Sequence, residues 1–353
     1  MSKKIMVLGE LHQDLYYESD FYENLVEKIV KRLRTFLKYN PDDHSQKILS
    51  RIVKKGFNDT PKKIIGNCYF KRGGNGNNSS EFLANLGVPT KLISIVGRGS
   101  EWIYPELEDL GIDTSDIYQI DEITPVSTII KSNFTTKIHL APNLKNKMNF
   151  ENVNLKSDIF IDGKIIFSTP IAEKFIEIFE KAADQGLITA FNIETQKIRE
   201  LEKLNRLIRN RYDIFFLNVK DAYFILDKKA SIEEVDKIFK QYAKIRVYTA
   251  GKEGSYILTD HFKIHYEGIE VAAVVDRTGA GDCYAAGFLT KLYKLIEDRT
   301  HLENLLIEKK KENLRHILEQ CGKLATYSAI YKITQQKPPT FEELEDFGKE
   351  YEI

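Results

Sequence analysis

The residues with the clearest chemical role form a glycine-rich turn, Asp276–Asp282 (DRTGAGD). An apolar stretch at Val271–Val275 precedes the turn and an apolar helical pattern follows it, so a strand is expected to enter and a helix to leave. Small residues leave backbone N–H groups uncovered at a helix start, where the helix dipole also favours negative charge. The sequence therefore predicts an anion hole, suited to phosphate, at Gly279, Ala280 and Gly281.

Asp282 stands at the end of this turn, where a carboxylate has two uses. It can cap the helix by accepting hydrogen bonds from backbone N–H groups. It can also accept the proton of a substrate hydroxyl that is aimed at a bound phosphate. Because aspartate is common at helix starts, the residues alone leave capping and catalysis open.

A second polar loop, Gly73–Ser80 (GGNGNNSS), precedes a helical pattern predicted over Ser79–Leu86. Asparagine side chains offer donors and acceptors that suit the vicinal hydroxyls of a sugar or polyol, and glycines let a ligand approach the backbone. The alternative is an ordinary turn in which Ser79 or Ser80 caps the helix.

Two weaker signals follow predicted strands. Thr249–Gly254 (TAGKEG) is typical of a nucleotide-contacting turn, although a hairpin with lysine and glutamate at its tip has the same pattern. Asn218 and Asp221 come just after another strand, at the edge where open α/β sheets bind ligands, and capping of the next helix is the alternative.

The chain that must position these residues alternates between strand and helix patterns. Short apolar runs predict strands at Lys4–Gly9, Lys91–Gly97, Lys164–Ser168, Leu187–Phe191, Asp213–Leu217 and Lys244–Thr249. Helical patterns occupy Ser79–Leu86, Ile171–Gln185, Lys197–Asn210, Ala222–Tyr242 and most of the chain from Thr300 onward. This alternation predicts an α/β fold with a mainly parallel sheet and helices on both faces.

Two segments depart from the alternation. Between Ile117 and Leu140, apolar and polar residues alternate with period two, which predicts antiparallel strands exposed on one face. Between Asp20 and Gly56 the pattern predicts a helical hairpin with a basic face. The hairpin is interpreted either as a packing or dimer contact or as a basic surface that closes over an anionic substrate such as a sugar phosphate.

Composition excludes several classes of function. The 353 residues hold 52 Lys+Arg and 52 Asp+Glu, so the formal net charge of +0 disfavours nucleic acid or a membrane surface as partner. The three cysteines, Cys68, Cys283 and Cys321, are too few and too dispersed for a disulfide framework or a zinc site. Without an apolar stretch that would export or anchor the chain, a cytoplasmic location is expected.

Taken in order, the four polar segments resemble the ribokinase-like (PfkB) family of carbohydrate and nucleoside kinases. The amino-terminal signature of that family is similar to Gly73–Gly87, and its D-T-T-G-A-G-D signature is matched by Asp276–Asp282. Ser94–Gly99 and Leu107–Ser115 are similar to the family's connecting segment. The resemblance covers nearly the whole chain.

The resemblance implies one ribokinase-like domain over residues 1–353, a Rossmann-like three-layer sandwich with a mainly parallel sheet. A small β-sheet lid is expected from strands near residues 13–18, 62–72 and 115–141, with the helical insertion at about 20–56. A homodimer through the lid is expected, because its exposed strands would have a free edge to cover.

The resemblance also implies an activity: MgATP phosphorylates a hydroxyl of a sugar or sugar phosphate, with a nucleoside as the alternative acceptor. Asp282 would be the catalytic base, and the amides of Gly279–Gly281 would hold the transferring phosphoryl group. The residues implied to bind substrate hydroxyls are Asp14, Gly74 and Asn78. The residues implied to surround the nucleotide are Asn218, Thr249, Gly251 and Gly254.

Two carboxylates are implied to hold cations. Asp221 would bind Mg²⁺ through water, and Asp276 would contribute to a site for a monovalent cation such as K⁺. Asp221 replaces a usual Glu, Gly99 replaces an Asp, and Asn192-Ile193-Glu194 replaces a frequent Asp-x-Asn. These departures keep a non-catalytic ligand-binding protein on the same fold as a further alternative.

Overall fold

Apolar runs alternate with amphipathic helices through most of the computed structural model. It describes residues 2–19, 21–39, 50–55, 65–131, 138–140, 150, 153, 155, 156, 158–193, 201–271, 274, 278–335 and 337–350. The strands are β1 (Lys4–Gly9), β2 (His12–Glu18), β3 (Asn67–Gly73), β4 (Thr90–Arg98), β5 (Ile112–Ile123), β6 (Val126–Lys131), β7 (Ile138–Leu140), β8 (Gly163–Thr169), β9 (Ile188–Asn192), β10 (Tyr212–Asn218), β11 (Ala243–Thr249), β12 (Ser255–Leu258) and β13 (Lys263–Tyr266).

The helices include two within the predicted insertion, whose residues 20, 40–49 and 56 lie outside the described part, and those of the carboxyl-terminal region. They are α1 (Phe21–Tyr39), α2 (residues 50–55), α3 (Asn75–Asn85), α4 (Ile103–Asp109), α5 (Glu173–Asp184), α6 (Leu201–Leu207), α7 (Val219–Leu226), α8 (Ile232–Phe239), α9 (Ala280–Leu295), α10 (Arg299–Leu305), α11 (Lys311–Gln335) and α12 (Phe341–Glu350). None of these described helices is long and apolar enough to span a membrane.

The larger of two compact units comprises Met1–Leu11, Gly73–Thr124 and Asn146–Ile353. In its described part the strands form a nine-stranded sheet in the order β13-β12-β11-β10-β9-β8-β1-β4-β5. From β5 to β11 neighbouring strands run parallel, and β12 and β13 add an antiparallel edge. The prediction of a mainly parallel sheet is confirmed.

Helices cover both faces of this sheet, which explains the continuous apolar runs of its central strands. One apolar layer is built from α3, α4, α9, α10 and α11, and the other from α5, α6, α7 and α8. In β1, for example, Ile5 and Val7 face the first layer while Met6 and Leu8 face the second, all fully buried. The predicted three-layer α/β sandwich is therefore confirmed.

The smaller unit comprises His12–Arg72 and Pro125–Lys145. Its described strands form a four-stranded sheet in the order β3-β2-β6-β7, with β2 and β6 parallel and β6 and β7 antiparallel. The expectation of a separate small sheet is confirmed, and so is the antiparallel pairing within the alternating segment. Helices α1 and α2 belong to this unit, within the predicted insertion.

One predicted boundary of the small sheet is wrong. The segment from residue 115 was assigned to the lid, but β5 runs from Ile112 to Ile123 and pairs in parallel with β4 at the edge of the large sheet. Its apolar residues divide between the two layers: Ile112 and Ile117 contact one, Tyr118 and Ile120 the other. β5 therefore carries apolar residues on both faces and does not follow the one-face alternation expected of a lid strand.

Two further predicted elements differ from the structure. The single helix expected over Ala222–Tyr242 is two helices, because Asp227 adopts a left-handed conformation (φ 51°) that ends α7. Ser231 then starts α8 with a reciprocal capping box to Glu234. The strand expected before the glycine-rich turn is not found at Val271 or Val274; residues 272, 273 and 275 lie outside the described part.

Candidate functional site

The carboxyl ends of the parallel strands meet at one edge of the large sheet. Along the chain, β4 and β5 are added on one side of β1, and β8 to β11 on the other. Strand order therefore reverses at β1, and open α/β sheets bind ligands in the crevice at such a reversal. Asn192, Asn218 and Thr249 are the last residues of their strands at this edge.

The polar loop after β3 lies directly against the end of β1. A Cβ atom added to Gly9 would stand 2.7 Å from the Cα of Gly76, so both positions require glycine. The N–H of Asn77 donates to the carbonyl of Glu10 at 3.3 Å, which ties the start of α3 to this strand end. The large sheet thus holds the loop at the ligand edge.

The serine-cap alternative for this loop is wrong. Helix α3 begins at Asn75, with Gly74 as its N-cap at φ 100°, so Ser79 and Ser80 lie inside the helix. The Ser80 hydroxyl donates to the carbonyl of Gly76 instead. The predicted start at Ser79 was too late because four loop residues are helical in spite of poor helix propensity.

Two asparagine side chains at the start of α3 are coupled. Asn77 is 1% exposed and its Nδ2 donates to Oδ1 of Asn78 at 3.2 Å. Asn78 is half-buried, and no described residue accepts a hydrogen bond from its side-chain Nδ2. The arrangement orients the Asn78 amide with its donor side available for a ligand.

The glycine-rich turn starts α9 as predicted. Gly279 is the N-cap in a left-handed conformation (φ 76°), a geometry that favours glycine, and its carbonyl accepts from the N–H of Cys283. Gly281 is exposed, and a Cβ there would meet open space. Asp282 is a half-buried residue of the first turn and is not the N-cap. Asp276 lies outside the described residues.

Cys283, next to Asp282, is not a nucleophile of this turn. Burial raises the pKa of its thiol well above the usual range, so the thiol stays protonated near neutral pH. Its thiol donates to the carbonyl of Ser328 in the neighbouring helix. The half-buried Asp282 carries a carboxylate, a group that can accept a proton.

A lysine that the sequence analysis did not single out reaches this turn. Helices α9 and α11 cross closely at Gly287. A Cβ atom added there would stand only 2.4 Å from Oγ of Ser328, so a larger residue would not fit. One turn further along α11, the Cε of Lys332 lies 3.8 Å from the position of a Cβ on Gly279. No local pattern marks Lys332, since only the helix crossing brings it to the start of α9.

Asn218 and Thr249 are brought together by the register of β10 and β11. They are paired residues in the parallel ladder, and Asn218 Nδ2 donates to Oγ1 of Thr249 at 3.3 Å. Asn218 also caps α7, since its Oδ1 accepts from the N–H of Lys220 at 2.9 Å. The capping alternative is therefore confirmed for Asn218, and its nucleotide contact stays a prediction.

The turn after β11 is a tight hairpin. Strands β11 and β12 are antiparallel, and the N–H of Ala250 donates to the carbonyl of Gly254 at 2.8 Å. Gly254 has φ 89°, and a Cβ there would stand 1.9 Å from the carbonyl oxygen of Tyr266. The hairpin alternative for Thr249–Gly254 is confirmed, and the nucleotide contacts of Gly251 and Gly254 stay predictions.

Asp14 lies on β2 in the smaller unit, next to a buried histidine. His12 is 5% exposed, and its Nε2 is 3.2 Å from Oδ1 of Asp14. Residues two apart on a strand share a face, which explains the pairing. The sequence analysis did not predict this contact, and Oδ1 of Asp14 accepts no hydrogen bond from the described residues.

The donor set at the ligand edge suits magnesium bound mainly through substrate. Asp221 is a half-buried carboxylate in the first turn of α7. Among the described residues, no three His, Cys, Asp or Glu side chains are grouped to hold a metal. One carboxylate together with water and substrate phosphates is a common environment for Mg²⁺, so Asp221 fits that role.

Comparison with known proteins adds an independent line of argument. The chain matches the pfkB family of carbohydrate kinases over residues 50–341. It is 26% identical over 234 residues to a ribokinase of Staphylococcus aureus (strain COL), covering 63% of this chain and 75% of the relative. It is 28% identical over 229 residues to a nucleoside kinase of Methanocaldococcus jannaschii, covering 63% of this chain and 72% of that one.

A solved structure shares the fold. It is described as an Arabidopsis thaliana ribokinase complexed with ribose and ATP, with TM-score 0.70, 16% identity, and coverage of 98% of this chain and 99% of that chain. The match of both signatures, the nine-stranded sheet and the family match over residues 50–341 all lead to the same conclusion. This protein belongs to the pfkB family of carbohydrate kinases.

Proposed function

We propose that this protein transfers the terminal phosphoryl group of ATP to a hydroxyl group of a sugar or sugar phosphate. The observation that carries the proposal is the start of α9, where a left-handed glycine, a small residue and an open glycine precede a half-buried aspartate in the first turn. A helix start of this kind presents backbone donors to an anion, and the carboxylate of Asp282 lies in the same first turn.

The proposed reaction needs one proton acceptor and a binding site for the phosphoryl oxygens. Asp282 takes the proton from the acceptor hydroxyl, whose oxygen bonds to the terminal phosphorus of ATP. The bond from that phosphorus to the bridging oxygen breaks, and ADP leaves. The amides of Gly279, Ala280 and Gly281 stabilise charge on the phosphoryl oxygens during transfer.

We further propose separate residues for the two substrates. Gly74, Asn78 and Asp14 bind hydroxyls of the acceptor, and Asn218, Thr249, Gly251 and Gly254 contact the nucleotide. Asp221 holds Mg²⁺ through water, and this ion neutralises phosphate charge when bound. The K⁺ role of Asp276 and the homodimer through the small sheet stay predictions, as does a cytoplasmic location.

The polar start of α3 favours a polyhydroxylated acceptor. The coupled amides of Asn77 and Asn78 offer oriented hydrogen-bonding groups, which suit vicinal hydroxyls. A nucleoside is the alternative acceptor, because the M. jannaschii relative named above is a nucleoside kinase.

The first test is ADP release with MgATP against a panel of free sugars, sugar phosphates, polyols and nucleosides. One acceptor class is expected to give turnover that Asp282→Asn loses. ATP binding without turnover on any acceptor would contradict the proposal and favour a non-catalytic ligand-binding protein. Such a protein would show ligand-dependent thermal shifts without release of ADP.

Lys332 supplies a second test of the proposed phosphoryl site. We expect Lys332→Met to lower kcat/KM for ATP by on the order of tenfold, because it removes a positive charge beside the start of α9. The matched control is Lys323→Met on the same helix, since Lys323 is exposed and lies over the ring of Tyr327. Equal kcat/KM values for the two variants would remove Lys332 from this role.

A further inference from the structure

The helical insertion contains an open pocket of its own, which is called the cavity below. The cavity has a volume of about 690 Å³. It is lined by residues of α1 and α2, namely Lys28, Lys31, Arg32, Thr35, Phe36, Ile52 and Lys55. All of them belong to the smaller unit, and the proposed kinase reaction assigns no role to them. The volume lies within the roughly 300–1,000 Å³ that is typical of small-molecule sites.

The charged side chains described in this lining are all positive. Four of the seven residues carry a positive charge, and none of the described residues in the lining is acidic. Lys28, Lys31 and Lys55 are exposed, and no described residue forms an ion pair with their ammonium groups. Like charges around one concave surface repel one another and raise the local positive potential, which an anion would relieve.

The positive charge is a local feature and does not follow from composition. The chain as a whole has a formal net charge of +0. Over α1 and α2 the sequence has eight lysine and arginine residues and two acidic ones, Glu23 and Glu27. These eight basic residues therefore lie on the two helices that form the cavity.

The remaining lining residues define what kind of anion would fit. Phe36 and Ile52 are half-buried and give the cavity an apolar part. The hydroxyl of Thr35 donates to the carbonyl of Lys31, so its oxygen remains an acceptor for a ligand donor. Four cations around one concave surface suit a compact ligand that carries more than one negative charge, and the apolar part contributes no charge recognition.

We propose that this cavity is a binding site for a small anion that carries two or more phosphate groups. Lys28, Lys31, Arg32 and Lys55 would contact the phosphate oxygens as charged donors. The site is additional to the one proposed for phosphoryl transfer, and its existence does not depend on the identity of the acceptor.

The test is calorimetric titration of the full chain with inorganic tripolyphosphate. A saturating non-hydrolysable ATP analogue is present throughout, so that any nucleotide site is already filled. We expect saturable binding to the unaltered protein and at least tenfold weaker binding to the double variant Lys31→Glu, Lys55→Glu. Higher salt concentration is expected to weaken binding, since exposed charges are screened.

A matched control separates the cavity from overall charge. The double variant Lys309→Glu, Lys310→Glu makes the same charge change in an exposed segment between α10 and α11. It is expected to bind tripolyphosphate as the unaltered protein does. Equal weakening in both double variants would overturn the proposal, because it would indicate non-specific attraction.

Further outcomes would also overturn the proposal. One is the same dissociation constant for the cavity variant and the unaltered protein. Another is binding to vesicles containing phosphatidylserine, or to an oligonucleotide, without saturable tripolyphosphate binding. Thermal unfolding of each variant checks that it is folded, and Lys31→Gln with Lys55→Gln repeats the test if charge reversal prevents folding. Loss of kinase turnover in Asp282→Asn would leave this binding unchanged, so the two proposals fail separately.

Discussion

Asp282→Asn is expected to lower kcat by on the order of 10²–10⁴-fold while the affinity for ATP changes little. Asparagine keeps the size of the side chain and its ability to accept hydrogen bonds near a helix start, but it cannot take a proton from a hydroxyl. The residue is half-buried in the first turn of α9, beside the proposed phosphate-binding amides. Steady-state turnover and binding of a non-hydrolysable ATP analogue measure the two quantities separately.

An aspartate that caps a different helix provides the control. Asp298 is the N-cap of α10, and its side chain accepts from the N–H of His301 at 2.8 Å. Asp298→Asn is expected to retain the cap and to leave kcat within about twofold, because asparagine caps helices as well as aspartate does. Near-normal turnover in Asp282→Asn would remove Asp282 from the role of base.

Arg246→Met is expected to cost about 3–5 kcal/mol of the free energy of unfolding. Arg246 is 1% exposed, and its guanidinium makes two hydrogen bonds of 2.9 Å to the carboxylate of Asp236 and one of 3.0 Å to Asp260. Tyr248 also donates to Asp236. Removing the arginine would leave the buried Asp236 charge without its cation, while the methionine side chain preserves much of the apolar contact.

The same network contains a matched exposed arginine. Arg211 donates to both oxygens of Asp260 at 2.7 Å, but its side chain is 40% exposed. Arg211→Met is therefore expected to cost less than about 1 kcal/mol, since exposed ion pairs are screened by solvent. Urea unfolding of the unaltered protein, Arg246→Met and Arg211→Met measures both losses in the free energy of unfolding. Equal losses in the two variants would contradict the importance of burial.

The position of Arg246 links this stability to function. It lies on β11, whose last residue is Thr249, and its hydrogen bonds tie the strand to α8 through Asp236 and to the carbonyl of Thr259 after β12. Because β11 is hydrogen-bonded on both sides, the position of the Thr249–Gly254 hairpin that follows it is restricted. We therefore expect the arginine to support the proposed nucleotide contacts indirectly.

Much of the fold and the principal site motif could be predicted from the sequence, because both depend on local patterns. Continuous apolar runs such as Ile5–Leu8 belong to strands covered on both faces, and the structure places this one in β1. The turn Gly279–Asp282 was predicted to start a helix from its small residues alone, and α9 begins at Ala280. Such features can be predicted from a residue and its near neighbours in the sequence.

Other features depend on residues that are distant along the chain. Lys332 reaches the start of α9 because Gly287 allows two helices to cross closely, and the sequence around Lys332 contains no sign of this. The lid prediction from residue 115 is wrong for β5, because alternation in the segment that follows does not identify the sheet in which β5 pairs. Local sequence patterns determine which segments become strands, helices and turns. Strand partners and long-range side-chain contacts depend on packing across the whole domain.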